Sequence, residues 1–419
     1  MLDDRVGDDV LRKFSIILVI TLGFLVTPIS NGTSAQKAET AYTDYAITLE
    51  EAVDIQLKAT NPMTDLYREH PAYVSMNDVE FVGSNEINVL IANIRKEPAL
   101  DAEIAYRFPK RTPVHITGIE RGDEYENSPL WYAIEYKKNT YYIHSSLVDV
   151  QKIKTTTDTK IYAGPSENEH EYGTIQKGET LKIVKLDAEW TEISYNGWRR
   201  PKPNDLKKIL DPNGEENLFQ HIRLDESIGV TEEDLNQALE GQGILEGLAQ
   251  AFIEGGKKHG LNEAYLIAHA IHETGQGTSE LANGIEVGLN KKGKPTIVTP
   301  KNEKKLKKIK TTYNVYGIGA ADSCPLECGA TTAYENEWFT PEKAIEEGAA
   351  WIGQDFIYNE FEQNTLYKMK WNPKMGEGYY WKQYATDIGW AEKQTKRIKE
   401  IYEQLKNPKY HYDIPAYKE

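Results

Sequence analysis

Cysteine is nearly absent. Only Cys324 and Cys328 stand in the 419 residues, so no disulfide framework holds this chain together. Both lie in SCPLECG, where a bridge would close a very short loop and add little stability through loop entropy. Two cysteines do not make a four-ligand zinc site without nearby histidines. Positive charge is also scarce. Lys and Arg total 49 against 65 Asp and Glu, a formal net charge of −16. That balance excludes a general nucleic-acid binder, and it excludes polybasic attraction to anionic lipid as the main anchor. Long apolar runs are missing except for residues 14–26, which follow Arg12-Lys13. The run is too short for a comfortable membrane span but suits the core of a secretory leader. Thr33-Ser34-Ala35 offers a small-residue cleavage site, so residues 1–35 are expected to be a signal peptide. The acids Asp3, Asp4, Asp8 and Asp9 dilute the positive start and leave an uncleaved anchor as the alternative.

What is present is a globular composition, 39% hydrophobic and 27% charged, with length for two to four domains. Residues 36–85 read as a polar lead-in with one amphipathic, helical stretch near Leu49 to Leu57. From 86 to 150 short β-type runs alternate with turns: INVLIANIRKEP, TPVHITGIERGD, LWYAIEYKKN and TYYIHSSLV. Their order resembles a bacterial SH3-like domain. Residues 151–209 contain a weaker copy, with a Tyr-x-x-Pro opening, a Gly-Glu turn and a final Gly-Trp, so two tandem small barrels are expected. Residues 199–217, rich in proline, read as a linker. Beyond 215 the periodicity is helical. Thr231 can cap a helix bearing Leu235 and Leu239, and another helix carries Leu245, Leu248, Ala249, Phe252 and Ile253. Thr340-Pro341 is a cap followed by proline at the first helical position, and a last amphipathic helix runs from about Trp390 to Leu405.

The most informative stretch is LIAHAIHETGQGTSELANG, residues 266–284. Asn262 reads as an N-cap, and Leu266, Ala270 and Glu273 fall on one helical face before Thr274-Gly275 ends the helix. An acid on an apolar face must be paired, neutral or placed at a cleft. A raised pKa at a cleft suits a general acid.

AHAIHETGQGTSELA resembles the signature of glycoside hydrolase family 73, the bacterial endo-β-N-acetylglucosaminidases that cut peptidoglycan glycan strands. Three further blocks fit that family in order: YNVYGIGA (313–320), EWFTPEKAI (337–345) and QNTLYKMKWNP with QYATDIGW (363–373 and 383–390). The resemblance covers roughly the C-terminal half. It implies a multidomain protein whose lysozyme-like α+β, mainly helical catalytic domain (215–419) follows the two all-β barrels. It also implies secretion, association with the wall and glycan strands as partner, with no cofactor.

Glycosidic hydrolysis requires a proton on the leaving oxygen, and Glu273 matches the family's catalytic glutamate. The alternative for Glu273 is an i, i+4 pair with His269. Glu286, in NGIEVG, stands where the family often has an acid. It is either a distal base or a solvated loop acid, and in the second case the substrate's own acetamido group serves as nucleophile. The resemblance implies that Tyr384 faces the reacting sugar. Asp387, in the same YATD block, either contacts substrate or caps the helix near Trp390. Asn314, Tyr316, Gln363 and Asn364 are candidate sugar contacts, because amides bind hydroxyl and N-acetyl groups and aromatic faces stack on sugar rings. HAIHE matches no zinc-peptidase signature, so no metal is expected. The lysine-rich run of residues 291–310 is either a solvated loop or a contact for anionic wall polymers.

The competing functions are an N-acetylmuramidase or lytic transglycosylase on the same fold, an inactive wall-binding protein, and a cysteine peptidase. The last needs a cysteine at a helix start with a histidine base, and Pro325 directly follows Cys324.

Overall fold

The computed structural model describes residues 38–214, 218–321 and 323–419. The expected leader, 1–35, lies outside the described residues.

The lead-in is more than a short helix. Strand β1 (Glu39–Thr48) runs into helix α1 (Leu49–Ala59). The Thr48 hydroxyl accepts from Glu51 N and the Glu51 carboxylate accepts from Thr48 N, a reciprocal cap that fixes the helix start. Strands β2 (Ala72–Ser75) and β3 (Val79–Val82) follow. Then come β4 (Glu86–Ile87), β5 (Ile91–Arg95), β6 (Ile104–Pro109), β7 (His115–Tyr125), β8 (Ser128–Tyr136), β9 (Asn139–His144) and β10 (Val148–Asp149). β5 to β9 form an antiparallel sheet in the order β6-β5-β9-β8-β7, while β4 pairs with β10. Ile94, Ile116, Ile134 and Ile143 are buried in its core, as alternation along half-buried strands requires.

Strands β11 (Lys152–Thr155), β12 (Thr159–Tyr162), β13 (Glu171–Ile175), β14 (Thr180–Lys185) and β15 (Trp190–Ser194) do not form a unit of their own. They join β2 and β3 in a seven-stranded sheet, ordered β13-β12-β2-β15-β14-β11-β3. The tandem boundaries read from the sequence therefore miss this sheet's first two strands, which lie in the lead-in. Val82 of β3 pairs with Lys152 of β11, so residues 83–151 leave and return at neighbouring points.

The expected linker contains helix α2 (Pro203–Leu210), with Pro203 at its first position and Leu206 and Leu210 completely buried. They pack with Tyr45, Ile47, Ala52 and Val53 of the lead-in against Tyr367, Trp371 and Met375. The C-terminal half thus shares a core with segments from the start of the described chain.

That half contains α3 (Glu232–Leu239), α4 (Ala249–His259), α5 (Glu263–Glu273) and α6 (Glu280–Asn283). A small antiparallel sheet of β16 (Ile285–Leu289), β17 (Pro295–Ile297) and β18 (Lys307–Thr312) fills the non-helical insertion. Then follow α7 (Pro325–Glu335), α8 (Pro341–Ile352), α9 (Leu366–Lys370), α10 (Trp390–Gln404) and strand β19 (His411–Lys418). Thr231, Asn262 and Thr340 cap α3, α5 and α8 through side-chain oxygens. α4 starts only at Ala249; Leu245 sits in a preceding 3-10 turn. Cys324 and Cys328 are bonded across the first turn of α7, with Cα atoms 5.4 Å apart.

β1 pairs in parallel with β19, from Glu39 opposite His411 to Asp44 opposite Ala416. Beneath them Lys368, 2% exposed, donates to Asp413 (2.5 Å), Thr43 (2.7 Å) and Asn364 (2.9 Å). A short strap, Met63-Thr64, bridges two regions. Met63 N donates to Thr386 O and Ile388 N to Met63 O, while Thr64 and Arg199 exchange backbone hydrogen bonds. No helix among the described residues is long and apolar enough to cross a membrane.

Candidate active site

Helix α5 supplies one wall of a cavity of about 420 Å³. The face that carries Glu273 is Tyr265, His269 and Glu273, at i, i+4 and i+8, with Ala268 and His272 beside it. Leu266 and Ala270, the expected companions of Glu273, are wholly buried and do not line the cavity.

The stop of α5 is built into its sequence. Thr274 Oγ1 donates to Ala270 O (2.6 Å) and accepts from Gly277 N (2.7 Å). Gly275, Gln276 and Gly277 then take positive φ, and a Cβ at Gly277 would stand 2.0 Å from Gln242 O. Glu273 is left as the last helical residue, reaching solvent at the rim. Desolvation raises its pKa above the ordinary carboxylate value, and the nearby His272 opposes this. The negative end of the helix dipole acts in the same direction as desolvation. His269 does not neutralise it. Burial, with His272 second, pushes the His269 pKa down to about 4, so its ring is uncharged at neutral pH.

The loop 313–320 forms the floor. Tyr316 is 4% exposed and packs on His269 with ring centroids 5.8 Å apart. A Cβ at Gly348 of α8 would meet the Tyr316 ring at 2.4 Å, and one at Gly317, where φ is +66°, would stand 3.1 Å from Glu273 Oε2. Tyr-Gly in this block therefore lets the backbone approach the carboxylate. Trp351, Ile352 and Phe356 line the far side, Phe356 from a π-helical turn that extends α8. Leu366, Met369, Tyr384, Trp390, Gln394 and Ile398 complete the lining. Tyr384 stacks on Trp390 at 5.4 Å and meets Phe356 edge-on, and burial raises its phenol pKa, which keeps it a hydrogen-bond donor.

Of the eight residues expected at the site, Glu273, Tyr316 and Tyr384 meet in this cavity. The other five do not line it. Glu286 is exposed on β16, opposite Thr311. Asn314, 2% exposed, donates to Ile318 O and Gly329 O and accepts from Ile318 N, so it braces the floor loop instead of touching a sugar. Gln363 is completely buried and donates to the Lys368 and Lys382 carbonyls. Asn364 belongs to the Lys368–Asp413 network and also donates to Asp225. Asp387 accepts from Gly389 N (2.9 Å) and pairs with Lys393, a local brace just before α10, whose N-cap is Gly389. Tyr265, Trp351, Phe356, Trp390 and Gln394 were not singled out from the sequence. The i, i+4, i+8 spacing could have found Tyr265; the rest carried no local signal.

Glu273 is the one carboxylate among the lining residues. Among the described residues no group of three or more His, Cys, Asp or Glu could hold a metal. The arrangement is an acid with a raised pKa in an aromatic cavity that the Tyr384 phenol also lines.

A family model described as mannosyl-glycoprotein endo-beta-N-acetylglucosaminidase matches residues 249–403. This region is a glucosaminidase domain. It spans α4 to α10 and contains every residue lining the cavity. The chain is 40% identical over 252 residues to a beta-N-acetylglucosaminidase of Bacillus subtilis, covering 59% of this chain and 26% of the relative. It is 38% identical over 247 residues to bifunctional autolysins of Staphylococcus aureus, covering 58% of this chain and 18% of theirs. The chain thus spans about a quarter or less of the curated relatives it matches. A crystal structure of a major bifunctional autolysin is 34% identical, covering 53% of this chain and 85% of that one with a TM-score of 0.42. A catalytic variant of S. aureus autolysin E, solved with the disaccharide NAG-NAM, is 30% identical, covering 52% and 86% with a TM-score of 0.36.

Proposed function

We propose that the protein is a secreted, wall-associated peptidoglycan hydrolase that cuts the glycan strand after N-acetylglucosamine. The observation that carries this is Glu273, an acid held with a raised pKa at the end of α5 inside the matched domain. The printed descriptions of the relatives, beta-N-acetylglucosaminidase and autolysin, agree with it.

Glu273 gives its proton to the glycosidic oxygen as the bond to the anomeric carbon breaks. The carbonyl oxygen of the substrate's 2-acetamido group closes on that carbon from the opposite face. Water then attacks, the Glu273 carboxylate takes its proton, and the sugar leaves with retained configuration. Support for substrate assistance is that Glu273 alone supplies a carboxylate to the cavity lining. Tyr384, kept protonated by burial, donates to the reacting sugar.

Mass spectrometry of digested wall tests the bond. Reducing-end N-acetylglucosamine is expected; reducing-end muramic acid or an anhydro sugar would replace this reading with a muramidase or lytic transglycosylase, and no release at all would mean an inactive binder. NMR of the nascent anomer tests the stereochemistry, and inversion would reinstate a second protein carboxylate.

The two N-terminal sheets are assigned, within this reading, to SH3-like wall-binding modules. Because β3 and β11 are paired neighbours, replacing residues 84–150 by a short turn should leave the seven-stranded sheet intact. Wall binding should fall while cleavage of soluble glycan fragments persists; unchanged wall binding would remove that assignment from the five-stranded sheet.

A further inference from the structure

Residues 285–312 hold nine lysines and two glutamates, a formal charge of +7 inside a chain of −16. All nine lysines are exposed. Among the described residues none pairs with a carboxylate; Lys310 only lies over the Phe339 ring at 5.9 Å. Elsewhere the exposed lysines commonly find acids: Lys96 with Glu103, Lys207 with Glu50, Lys258 with Glu347, Lys393 with Asp65. The lobe is therefore a concentration of uncompensated positive charge on an acidic protein.

Its architecture keeps those charges outward. β16, β17 and β18 form a small sheet whose apolar positions, Val287 above all, turn inward. A bulge between Val287 and Leu289 and positive φ at Lys308 break the alternation of β18, so Lys307 and Lys308 both face solvent. The Tyr334 hydroxyl holds the Lys308 carbonyl at 2.7 Å. Both ends of the lobe are tied to the cavity. Ile285 follows α6, just beyond the turn that ends α5 at Glu273, and Thr312 leads into the floor loop with Tyr316. Thr312 Oγ1 donates to Ile285 O (3.0 Å) and closes the base.

We propose that this lobe docks a phosphodiester-linked anionic polymer of the cell wall, alongside the glycan strand in the cleft. The proposal rests on the peptidoglycan-hydrolase reading above. Repeating, flexible phosphates match repeating, flexible ammonium groups, and their binding releases counterions. A membrane surface is disfavoured because no large apolar residue of 285–312 is strongly exposed to enter it. The acidic remainder of the chain repels the same polymer, so contact is confined to the lobe and the protein is oriented by it.

The test uses the full chain and purified walls, before and after hydrofluoric acid removes phosphodiester polymers. Wild type should lose about tenfold or more in affinity on stripping, and should weaken steeply between low and moderate salt. The variant K304S/K305S/K307S/K308S should bind intact walls as weakly as wild type binds stripped ones, while cutting soluble glycan fragments normally. If that variant misfolds, K291S/K292S/K294S at the β16–β17 turn serves the same purpose. Equal binding of variant and wild type to intact walls overturns the proposal, as does binding that survives stripping. Tighter binding to phosphatidylglycerol vesicles would transfer the surface to a membrane. Failure of wild type to cut soluble fragments would instead count against the hydrolase reading.

Discussion

The end of α5 and the lobe that follows it are neighbours in sequence and opposites in chemistry. Glu273 stands among aromatic rings at the negative end of a helix, where water is partly excluded and the neutral acid is favoured. Glu286 is an exposed residue of β16, in the lysine-rich lobe and outside the cavity. Both glutamates belong to segments that resemble one family, so residue type alone does not assign a role. The surroundings separate them: one carboxyl lines the cavity, and the other lies outside it.

The sharpest way to break this comparison is Glu273→Gln. Activity on wall glycan should fall by about 10²–10⁴-fold, and a loss under tenfold would end the assignment of Glu273 as the acid. The same variant has a stability signature. A carboxyl with a raised folded-state pKa holds its proton longer in the folded chain, so its contribution falls as pH rises through the window above the ordinary value. Glu273→Gln should therefore melt slightly higher than wild type at neutral pH and equally at acidic pH. A lower melting temperature at neutral pH would show that the ionised carboxylate is stabilised. The raised pKa also places loss of activity, as pH increases, above the usual carboxylate range.

Next in size is Lys368→Met, which leaves Asp413 buried without its ammonium partner. A loss of about 3–5 kcal/mol in a denaturant titration is expected. A smaller loss would mean that Thr43 and Asn364 suffice to satisfy the carboxylate. Gly317→Ala should follow. Forcing a Cβ into positive φ costs about 1–2 kcal/mol, and the methyl would crowd Glu273 Oε2. Turnover should drop more than substrate affinity, and a change in KM alone would argue against crowding of the acid. Glu286→Gln should do least, staying within about twofold of wild type, the limit set by a group outside the reacting geometry. A defect comparable to that of Glu273→Gln would collapse the contrast between the two regions.

Much of this was legible because local rules operate locally. The caps Thr231, Asn262 and Thr340 each need only a residue three positions on, and each forms as read. The amides misled for a physical reason. A buried Asn or Gln satisfied by carbonyls has the same sequence appearance as one facing a sugar, and Asn314, Gln363 and Asn364 are all of the first kind. α2 was hidden because Pro203 reads as a linker residue when it is in fact a helix start. β1 and the divided seven-stranded sheet depend on partners far along the chain, which no local periodicity announces. Trp351 and Trp390 reach the cavity only because α8 and α10 pack on either side of it.

The parallel pairing of β1 with β19 has a consequence for the order of folding. The bond between Thr43 and Asp413 spans 370 positions, so β1 has no partner until residues 411–418 are available. Loop-closure entropy grows only slowly with such a span, but the closure must still come late, after the intervening elements have shortened the path. Until then Tyr45, Ile47 and the apolar face of α1 wait beside the α2 contacts that complete their core. β19 is thus the strand that seals β1, and loss of either would expose an open strand edge next to unburied apolar surface, the combination most prone to aggregate.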